Sequence, residues 1–477
     1  MHDAPNVGAD ALIASAESPQ TAARTSHPIA FWFFFWGEFA ERCSFYGMKA
    51  ILLLYMIERL GFGNGTASRT VNYFKAACYF LPLAGGFLAD HYFGKYRTIV
   101  AFSLPYILGH VILGFQTVPC LLLGLALLAM GAGAVKPNLS TLMGMTYDQQ
   151  RPGQTQLRSD AFGMFYVAIN TGSFVSSFAV PLIRNYCGYR IAFLFPAALM
   201  VVAFLLFVAG KPFYAQETIP RVRPTPRQRS ADWPALRKIL ALFAVVIFFW
   251  SVLEQYDSTW ILFARDHVDL NVFDFSPETW QGSVVAFLRD RLHIELLGRP
   301  LVADQFQALN PIFVMVMVPV VAVVWRLLAR AGLRLRPTDK MLIGFVLTLA
   351  TPLILAVAGD RAHEVGRISA WWLVTAYFVV TTAEVCISVV GLELAFTAAP
   401  DSMKGLVTAC WLMTMSLGDI LNGLITPYYE QTVSLGSRSV HLTATVYFGL
   451  FTLMMVPVLL AFLLVARRFN DTSTTAA

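Results

Sequence analysis

Residues 31–56 read FWFFFWGEFAERCSFYGMKAILLLYM, an apolar stretch with four charged side chains in and beside its middle. Its length suits a bilayer core, which roughly 20 apolar residues cross as a helix. A charge at that depth costs roughly 2.5–3.5 kcal/mol on insertion scales. The four charges are Glu38, Glu41, Arg42 and Lys49, and their spacing places them on one helical face. We therefore expect this face to meet a watery cavity or other charged helices rather than lipid.

The composition of the whole chain indicates an integral membrane protein. Of its 477 residues, 57% are hydrophobic and 13% are charged, and the mean hydropathy is +0.60. Soluble domains have about 25% charged residues. In a membrane protein, the net charge of +6 indicates an excess of Lys and Arg in the loops rather than nucleic-acid binding. The six cysteines show no metal-ligand spacing and are interpreted as free thiols.

Twelve apolar stretches are long enough to be membrane spans. We predict an all-α protein with twelve transmembrane helices in two six-helix bundles. The predicted spans are 29–57, 70–90, 96–115, 118–141, 160–184, 188–209, 236–263, 308–329, 339–358, 369–397, 403–427 and 441–467.

Polar and basic segments divide the chain. Residues 211–235 are rich in Arg and Pro and separate six spans from six, which is the layout of a transporter with its site between two bundles. Lys and Arg collect in alternate loops, and the positive-inside bias places both termini in the cytoplasm. The predicted segments are a disordered cytoplasmic tail 1–27, a first bundle 28–210, the cytoplasmic linker 211–235, a second bundle 236–467 and a cytoplasmic tail 468–477. Within the second bundle, 264–307 is an extracytoplasmic loop with a short amphipathic surface helix over 275–292.

Further polar side chains fall at membrane depth, where they are candidate functional residues. The first bundle adds Lys136 and Asn170, and the second bundle adds Glu254, Asn310, Glu384 and Ser388. The first bundle then has three cations and two carboxylates at depth, whereas the second has two carboxylates. A cavity between such walls complements a small zwitterion. An apolar but hydrogen-bonding surround is expected from Tyr46, Tyr79, Tyr166, Trp260 and Trp411. Asp257, Glu393 and Asp419 lie nearer span ends and are assigned structural roles.

The excess of carboxylates also suggests proton movement. A neighbouring cation stabilises the ionised form of a carboxyl group, whereas burial disfavours it. A glutamate that changes its cationic partner between two conformations can therefore load a proton on one side and release it on the other.

Several motifs, in order, resemble those of the proton-dependent oligopeptide transporter family, a branch of the major facilitator superfamily. The helix-1 segment GEFAERCSFYGMKAIL resembles the family's E-x-x-E-R signature, and residues 85–97 resemble the superfamily's loop motif. Further matching segments are KPNLS (136–140), FYVAINTGS (165–173), FQALNPIF (306–313), AEVCISVVGLE (383–393) and 399–419. The resemblance implies the major facilitator fold and proton-driven uptake of di- and tripeptides as a monomer in the cell membrane. It implies no cofactor besides the proton as coupling ion.

The resemblance also assigns roles to individual residues. Proton coupling is implied for Glu38, Glu41, Arg42, Lys136 and Glu254. Lys49 and Lys136 would meet the peptide carboxylate, while Asn170, Asn310 and Glu384 would hold the backbone and amino end. The pocket would be lined by Tyr46, Tyr79, Tyr166, Trp260, Ser388 and Trp411. At the cytoplasmic end, Asp90, Lys95 and Arg97 would form a gating latch, against the simpler interpretation as positive-inside charge.

The sequence departs from the family pattern at a few positions. Cys43 and Phe45 replace aromatic residues of the helix-1 signature, so one pocket hydroxyl is lost. Tyr256 and Asp257 stand where glycine is common, and Asp419 stands where asparagine is common.

Two alternatives remain open beside peptide symport. One keeps the fold and changes the cargo to nitrate, a glycoside or a peptide-like drug; nitrate has no amine, which disfavours it. The other is a membrane receptor, which the charges in both halves disfavour. An intramembrane hydrolase would need a nucleophile or metal constellation at depth, and the sequence presents none, so we predict that the protein is not an enzyme.

Overall fold

The computed structural model describes residues 26–217, 233–272, 300–398, 404–435 and 438–474, together with positions 283 and 286. Helices make up nearly all of these ranges. The predicted surface helix over 275–292 and most of the linker lie outside the described residues, as does most of the N-terminal tail.

The described residues of the first half form five helices, of which the last is bent. They are α1 (Ile29–Glu58), α2 (Asn64–Leu88), α3 (Lys95–Leu113), α4 (Val118–Gln150) and α5 (Thr155–Ala209). A π-helical turn, Ala89–Phe93, extends α2. The bend in α5 is at Gly188, whose φ of +79° is readily adopted only by glycine. The spans predicted at 160–184 and 188–209 are therefore the two arms of α5.

The described ranges of the second half contain eight helices, apart from the helical positions 283 and 286, and several short irregular turns. The helices are α6 (Trp233–Leu253), α7 (Thr259–His267), α8 (Leu309–Arg330), α9 (Pro337–Val365), α10 (Trp371–Glu384), α11 (Val390–Ala398), α12 (Lys404–Ile425) and α13 (Ala444–Thr474). The 3-10 turn Glu254–Asp257 joins α6 to α7, and the π turn Val385–Val389 joins α10 to α11. A 3-10 turn, Ala303–Ala308, leads into α8. Helix α13 continues to Thr474, so its last turns fall within the predicted tail 468–477.

Two very small sheets connect helix ends. The strand β1 (Val268–Asp269) pairs in parallel with β2 (Ile368–Ser369). The strand β3 (Thr432–Leu435) pairs antiparallel with β4 (Arg438–His441), with Thr432 opposite His441. Both sheets lie in connections, so the described structure is a helical one.

Among the described residues, eight helical stretches are long and apolar enough to cross a membrane. Large apolar side chains cover the outside of such helices; on α13, Leu453, Leu460 and Leu464 are each more than half exposed. Helix α1 carries too many charges to belong to these eight. It is shielded by protein instead, since the side chains from Ile51 to Met56 are all at most 2% exposed.

The two halves meet most closely at the end of the molecule where α1 stops and α2 starts, which we call the closed end. There Arg184 of α5 forms an ion pair of 2.8 Å with Asp304. Gln307 Nε2 donates to the carbonyl of Ala50 at 2.9 Å. Other hydrogen bonds between the halves at this end run from Gln305 to Phe178, from Arg69 to Gly423 and from Asn72 to Thr426. Within the described residues, the hydrogen bonds and ion pairs that join the halves lie at this end or at mid-depth.

Candidate functional site

The helix-1 signature forms a compact ion cluster. Arg42 Nε lies 2.5 Å from a carboxylate oxygen of Glu38 and 3.2 Å from one of Glu41. Tyr106 of α3 donates its hydroxyl to the other oxygen of Glu41 at 2.7 Å. All four side chains are buried. One cation thus serves two carboxylates, an arrangement that leaves room for a proton on either acid.

Lys136 of α4 points at the same region but contacts an aromatic ring. Its Nζ lies 3.4 Å from the ring centroid of Phe45, a cation–π distance. Among the described residues, no carboxylate lies within the 4.0 Å ion-pair distance of Lys136. In this state the lysine is held close to the helix-1 signature without being paired to it. Phe45, a departure from the family pattern, supplies the face on which it rests.

A break in the helix at residues 254–257 organises the second half of the site. A 3-10 helix has three residues per turn, so side chains three positions apart point the same way. The turn Glu254–Asp257 therefore directs both of its carboxylates to one side. Lys75 of α2 receives both: its Nζ lies 2.9 Å from Glu254 and 3.0 Å from Asp257.

This second cluster includes two further residues, one from α1 and one from α12. Lys49 Nζ lies 2.9 Å from Asp257 Oδ2 and donates to the Tyr256 hydroxyl at 3.0 Å. Asp419 lies 3.0 Å from Lys75 Nζ. The five charged side chains are at most 5% exposed. We call Lys49, Lys75, Glu254, Asp257 and Asp419 the central cluster.

The central cluster includes three residues outside the predicted site. Asp257 and Asp419, which the sequence assigns to structural roles, contact Lys75 between the two halves. Lys75 was absent from the predicted site. Its partners lie 179 or more positions downstream, so no local spacing connects them.

A third polar group lies on the second half. Asn310 Nδ2 donates to Glu384 at 2.8 Å and to the hydroxyl of Thr381 at 3.2 Å. Glu384 ends α10 at the start of the π turn, a feature common at functional sites. Ser388, in that turn, donates its hydroxyl to the Glu384 carbonyl at 2.7 Å. Glu384 and Asn310 are thus brought together, as the sequence predicts.

The remaining predicted pocket residues lie in different surroundings. Asn170 donates to the carbonyl of Tyr166 on its own helix at 2.9 Å, and Tyr166 is 43% exposed. Tyr46 lies beside Lys49, with 5.0 Å from the ring centroid to Nζ. Tyr79 is only partly buried. The placement of these side chains is compatible with a lining role, which stays a prediction.

Two predicted aromatic residues are packed within the protein. Trp260 is 1% exposed and meets Tyr377 edge-on, with ring centroids 4.9 Å apart. Trp411 is 5% exposed and meets the ring of Phe243 at 5.5 Å. In this state both support the helices of the second half, and contact with a ligand would need them to move.

The predicted latch is only partly assembled. Asp90 and Lys95 form an ion pair across the turn between α2 and α3, while Arg97 is exposed. Glu217, from the start of the linker, accepts hydrogen bonds from the backbone N–H groups of Lys95 at 2.5 Å and Tyr96 at 2.8 Å. These are unsatisfied N–H groups of the first turn of α3, which favour a carboxylate. Glu217 therefore fixes the linker to this turn.

The charges differ sharply between the two halves. The first half carries Arg42, Lys49, Lys75 and Lys136 together with the carboxylates Glu38 and Glu41, whereas the second half carries only the carboxylates Glu254, Asp257, Glu384 and Asp419 among these charged site residues. Charges buried between two helical halves at mid-depth characterise secondary transporters, in which they mark the path of substrate and coupling ion. The fold and the site thus define the class of a membrane transporter.

Comparison with known proteins gives the family. The model described as "PTR2: POT family" matches residues 96–227 and 278–441, more than half of the chain. The chain belongs to the POT family. Members of this family are multi-pass membrane transporters and not enzymes.

Individual relatives agree with this membership. Human "Solute carrier family 15 member 2" is 29% identical over 397 residues, which cover 72% of this chain and 50% of that protein. Mouse "Solute carrier family 15 member 1" is 30% identical over 394 residues, which cover 69% of this chain and 52% of that protein. The chain spans about half the length of the curated relatives it matches.

Solved structures match over almost the whole chain. The structure titled "auto inhibited POT family peptide transporter" has a TM-score of 0.77 at 25% identity and covers 92% of this chain and 97% of that one. The structure of the POT family transporter PepTSo has a TM-score of 0.78 at 25% identity, and the match covers 94% of this chain and 99% of that one.

Proposed function

We propose that this chain is a proton-coupled symporter that imports di- and tripeptides by alternating access. The observation that carries the proposal is the charge difference between the halves: with all groups ionised, the four cations and two carboxylates of the first half leave a net charge of +2, which faces four carboxylates on the second half. Such walls suit a ligand with a carboxylate at one end and an ammonium group at the other. The relatives titled as peptide transporters support the same cargo.

We assign the two ends of the peptide to different halves. Lys136 is the cation best placed for the peptide carboxylate, because its present partner is a ring rather than an acid. Glu384, oriented by Asn310, suits the amino end, and Asn170 lies on a helix that reaches the second half at Thr171. Lys49 becomes available to the carboxylate once Asp257 releases it.

The proposed membrane arrangement has twelve crossings in two bundles. The two arms of α5 provide two of them, and each broken pair, α6 with α7 and α10 with α11, provides one. With both termini cytoplasmic, the closed end faces the outside of the cell membrane. The described structure then corresponds to a state sealed from the outside, and the protein works as a monomer with the proton as coupling ion.

Proton coupling would use the helix-1 signature and Glu254. In the described state Arg42 is shared by Glu38 and Glu41, and Lys75 is shared by Glu254, Asp257 and Asp419. A carboxylate that loses its share of the cation on a conformational change takes up a proton, because an unpaired buried charge is unfavourable.

An alternative cargo with the same fold would be nitrate, a glycoside or a peptide-like drug. Glu384 and Asn310 form a polar pair suited to an ammonium group, which nitrate and simple glycosides lack. Competition of labelled dipeptide uptake by tripeptides, free amino acids, a glycoside and nitrate separates these cases. Inhibition by tripeptides alone supports the proposal.

Uptake by the purified protein in proteoliposomes tests the proposal directly. With an inside-alkaline pH gradient, we expect dipeptide accumulation that a protonophore abolishes. Glu384→Gln should lose binding and uptake, whereas Glu364→Gln, the same change at an exposed site at the end of α9, should not. Uptake that ignores the pH gradient would contradict proton coupling.

A further inference from the structure

The central cluster has more acids than cations. It holds Glu254, Asp257 and Asp419 but only Lys49 and Lys75. When all five are ionised, one negative charge is left over. The five side chains are at most 5% exposed, so solvent offers little compensation. A buried group in this position is usually neutralised by taking up a proton.

The three acids are unequally compensated. Glu254 accepts a hydrogen bond from Lys75 at 2.9 Å, and Asp257 accepts one from Lys49 at 2.9 Å while also lying 3.0 Å from Lys75. Asp419 has a single ion-pair contact, to Lys75 at 3.0 Å, and neither of its oxygens has a hydrogen-bond partner among the described residues. Its exposure is 0%. Asp419 is therefore the acid on which a proton removes the most unfavourable charge.

Among the residues that the structure describes, no further cation lies within ion-pair distance of Asp419. From α2 it faces Lys75, with Cys78 and Tyr79 near by. From the 254–257 turn it faces Glu254 and Asp257. Lys49 of α1 reaches the cluster through Asp257, to which it is bonded.

We propose that Asp419 is a proton-binding residue of the transport cycle, which takes up one proton before the closed end shuts and releases it before that end reopens. The inference rests on the proposed proton-coupled function and adds a site to it. Closing brings Asp419 of α12 against Lys75 of α2, so the halves seal fully only when the cluster is neutral.

The proton follows a defined route. It comes from the outside solvent when the closed end is open, binds a carboxylate oxygen of Asp419, and is buried as the end closes. It leaves through Glu254 towards the opposite side. Loss of the proton restores the excess negative charge, which destabilises the closed end and favours its reopening.

Two measurements on the purified full chain test this proposal. Infrared spectra at neutral pH should show a protonated-carboxyl C=O band in the wild type that Asp419→Asn removes. In proteoliposomes, the proton-to-peptide ratio measured at static head should fall in Asp419→Asn, while peptide counterflow persists. Lys75→Met combined with Asp419→Asn restores one excess negative charge and should restore a protonated-carboxyl band.

Glu364→Gln is the control. Glu364 is exposed at the end of α9, pairs with Arg361 of the same helix and lies outside the cluster, so its replacement should leave both the band and the ratio unchanged. If Asp419→Asn does not fold, Asp257→Asn serves, because it also neutralises the cluster. The proposal would be overturned if the protonated-carboxyl band and the proton-to-peptide ratio were both unchanged in Asp419→Asn or, in its place, Asp257→Asn. Absence of any peptide uptake by the wild type would instead refute the proposed function.

Discussion

Replacement of Lys75 by methionine tests whether the central cluster holds the two halves together. Lys75 is the only cation within ion-pair distance of Glu254 and of Asp419 in the part of the chain that the structure describes. Asp257 retains Lys49. The variant therefore leaves two buried carboxylates without a cation.

The size of the effect follows from these contacts. Removing one partner of a buried ion pair costs about 3–5 kcal/mol, because the remaining charge stays buried. Each 1.4 kcal/mol is tenfold, so the ratio of closed to open molecules should fall by about 10²-fold to 4 × 10³-fold. Protonation of the acids relieves part of this cost. The shift should thus be largest at alkaline pH and smaller at acidic pH.

Spin-label distances across the closed end measure this shift. Suitable labels replace Thr66 on α2 and Gln431 after α12, both exposed, in a background where the exposed Cys187 is serine. We expect a longer distance in Lys75→Met and no change in Lys238→Met, where the lysine is exposed and outside the cluster. An unchanged distance distribution in Lys75→Met at alkaline pH would refute the reasoning.

Three further predictions concern other parts of the molecule. Tyr106→Phe removes a hydrogen bond to Glu41 worth about 1.5–3 kcal/mol for a charged acceptor, and should reduce gradient-driven uptake more than counterflow; equal losses would count against a coupling role. At the closed end, beyond the predicted span, the hydrogen bond to Glu430 raises the pKa of His267 above its usual 6.5. The stabilisation from this hydrogen bond is therefore fully present below pH 6.5 and is lost as the pH rises through the raised pKa of His267. In His267→Gln the melting temperature should depend less on pH over this range; a pH profile identical to that of the wild type would exclude a contribution from this contact. Asp90→Asn breaks the latch pair and should slow cycling while equilibrium peptide binding persists; lost binding would contradict the latch.

The sequence predicts well those features that depend on local spacing. Glu38, Glu41 and Arg42 recur within one turn of a helix, and the structure brings them within ion-pair distance. The resemblance assigns Asn310 and Glu384 to the same end of the peptide, and in the structure the two side chains are hydrogen-bonded to each other. The apolar pattern also finds the helical stretches, but it misses the continuity of α5, the breaks at 254–257 and 385–389, and the full length of α4 and α13.

The central cluster lies beyond such arguments because it depends on a broken helix and on distant contacts. A regular α-helix would turn Glu254 and Asp257 to somewhat different directions, whereas the 3-10 turn aligns them. Lys75 lies in a less apolar helix, where one lysine resembles an interfacial residue. Asp257 and Asp419 each depart from the family pattern in the sequence. That both contact Lys75 follows only from the three-dimensional structure.

The central claim is that a peptide's charged ends are held by opposite halves while a proton gradient drives import. Dipeptide accumulation in proteoliposomes with an inside-alkaline gradient, compared between wild type and Glu41→Gln, tests it most directly. The account predicts uphill accumulation by the wild type and, for Glu41→Gln, loss of accumulation with counterflow retained. Uphill accumulation by Glu41→Gln equal to that of the wild type, or none by the wild type, would contradict it.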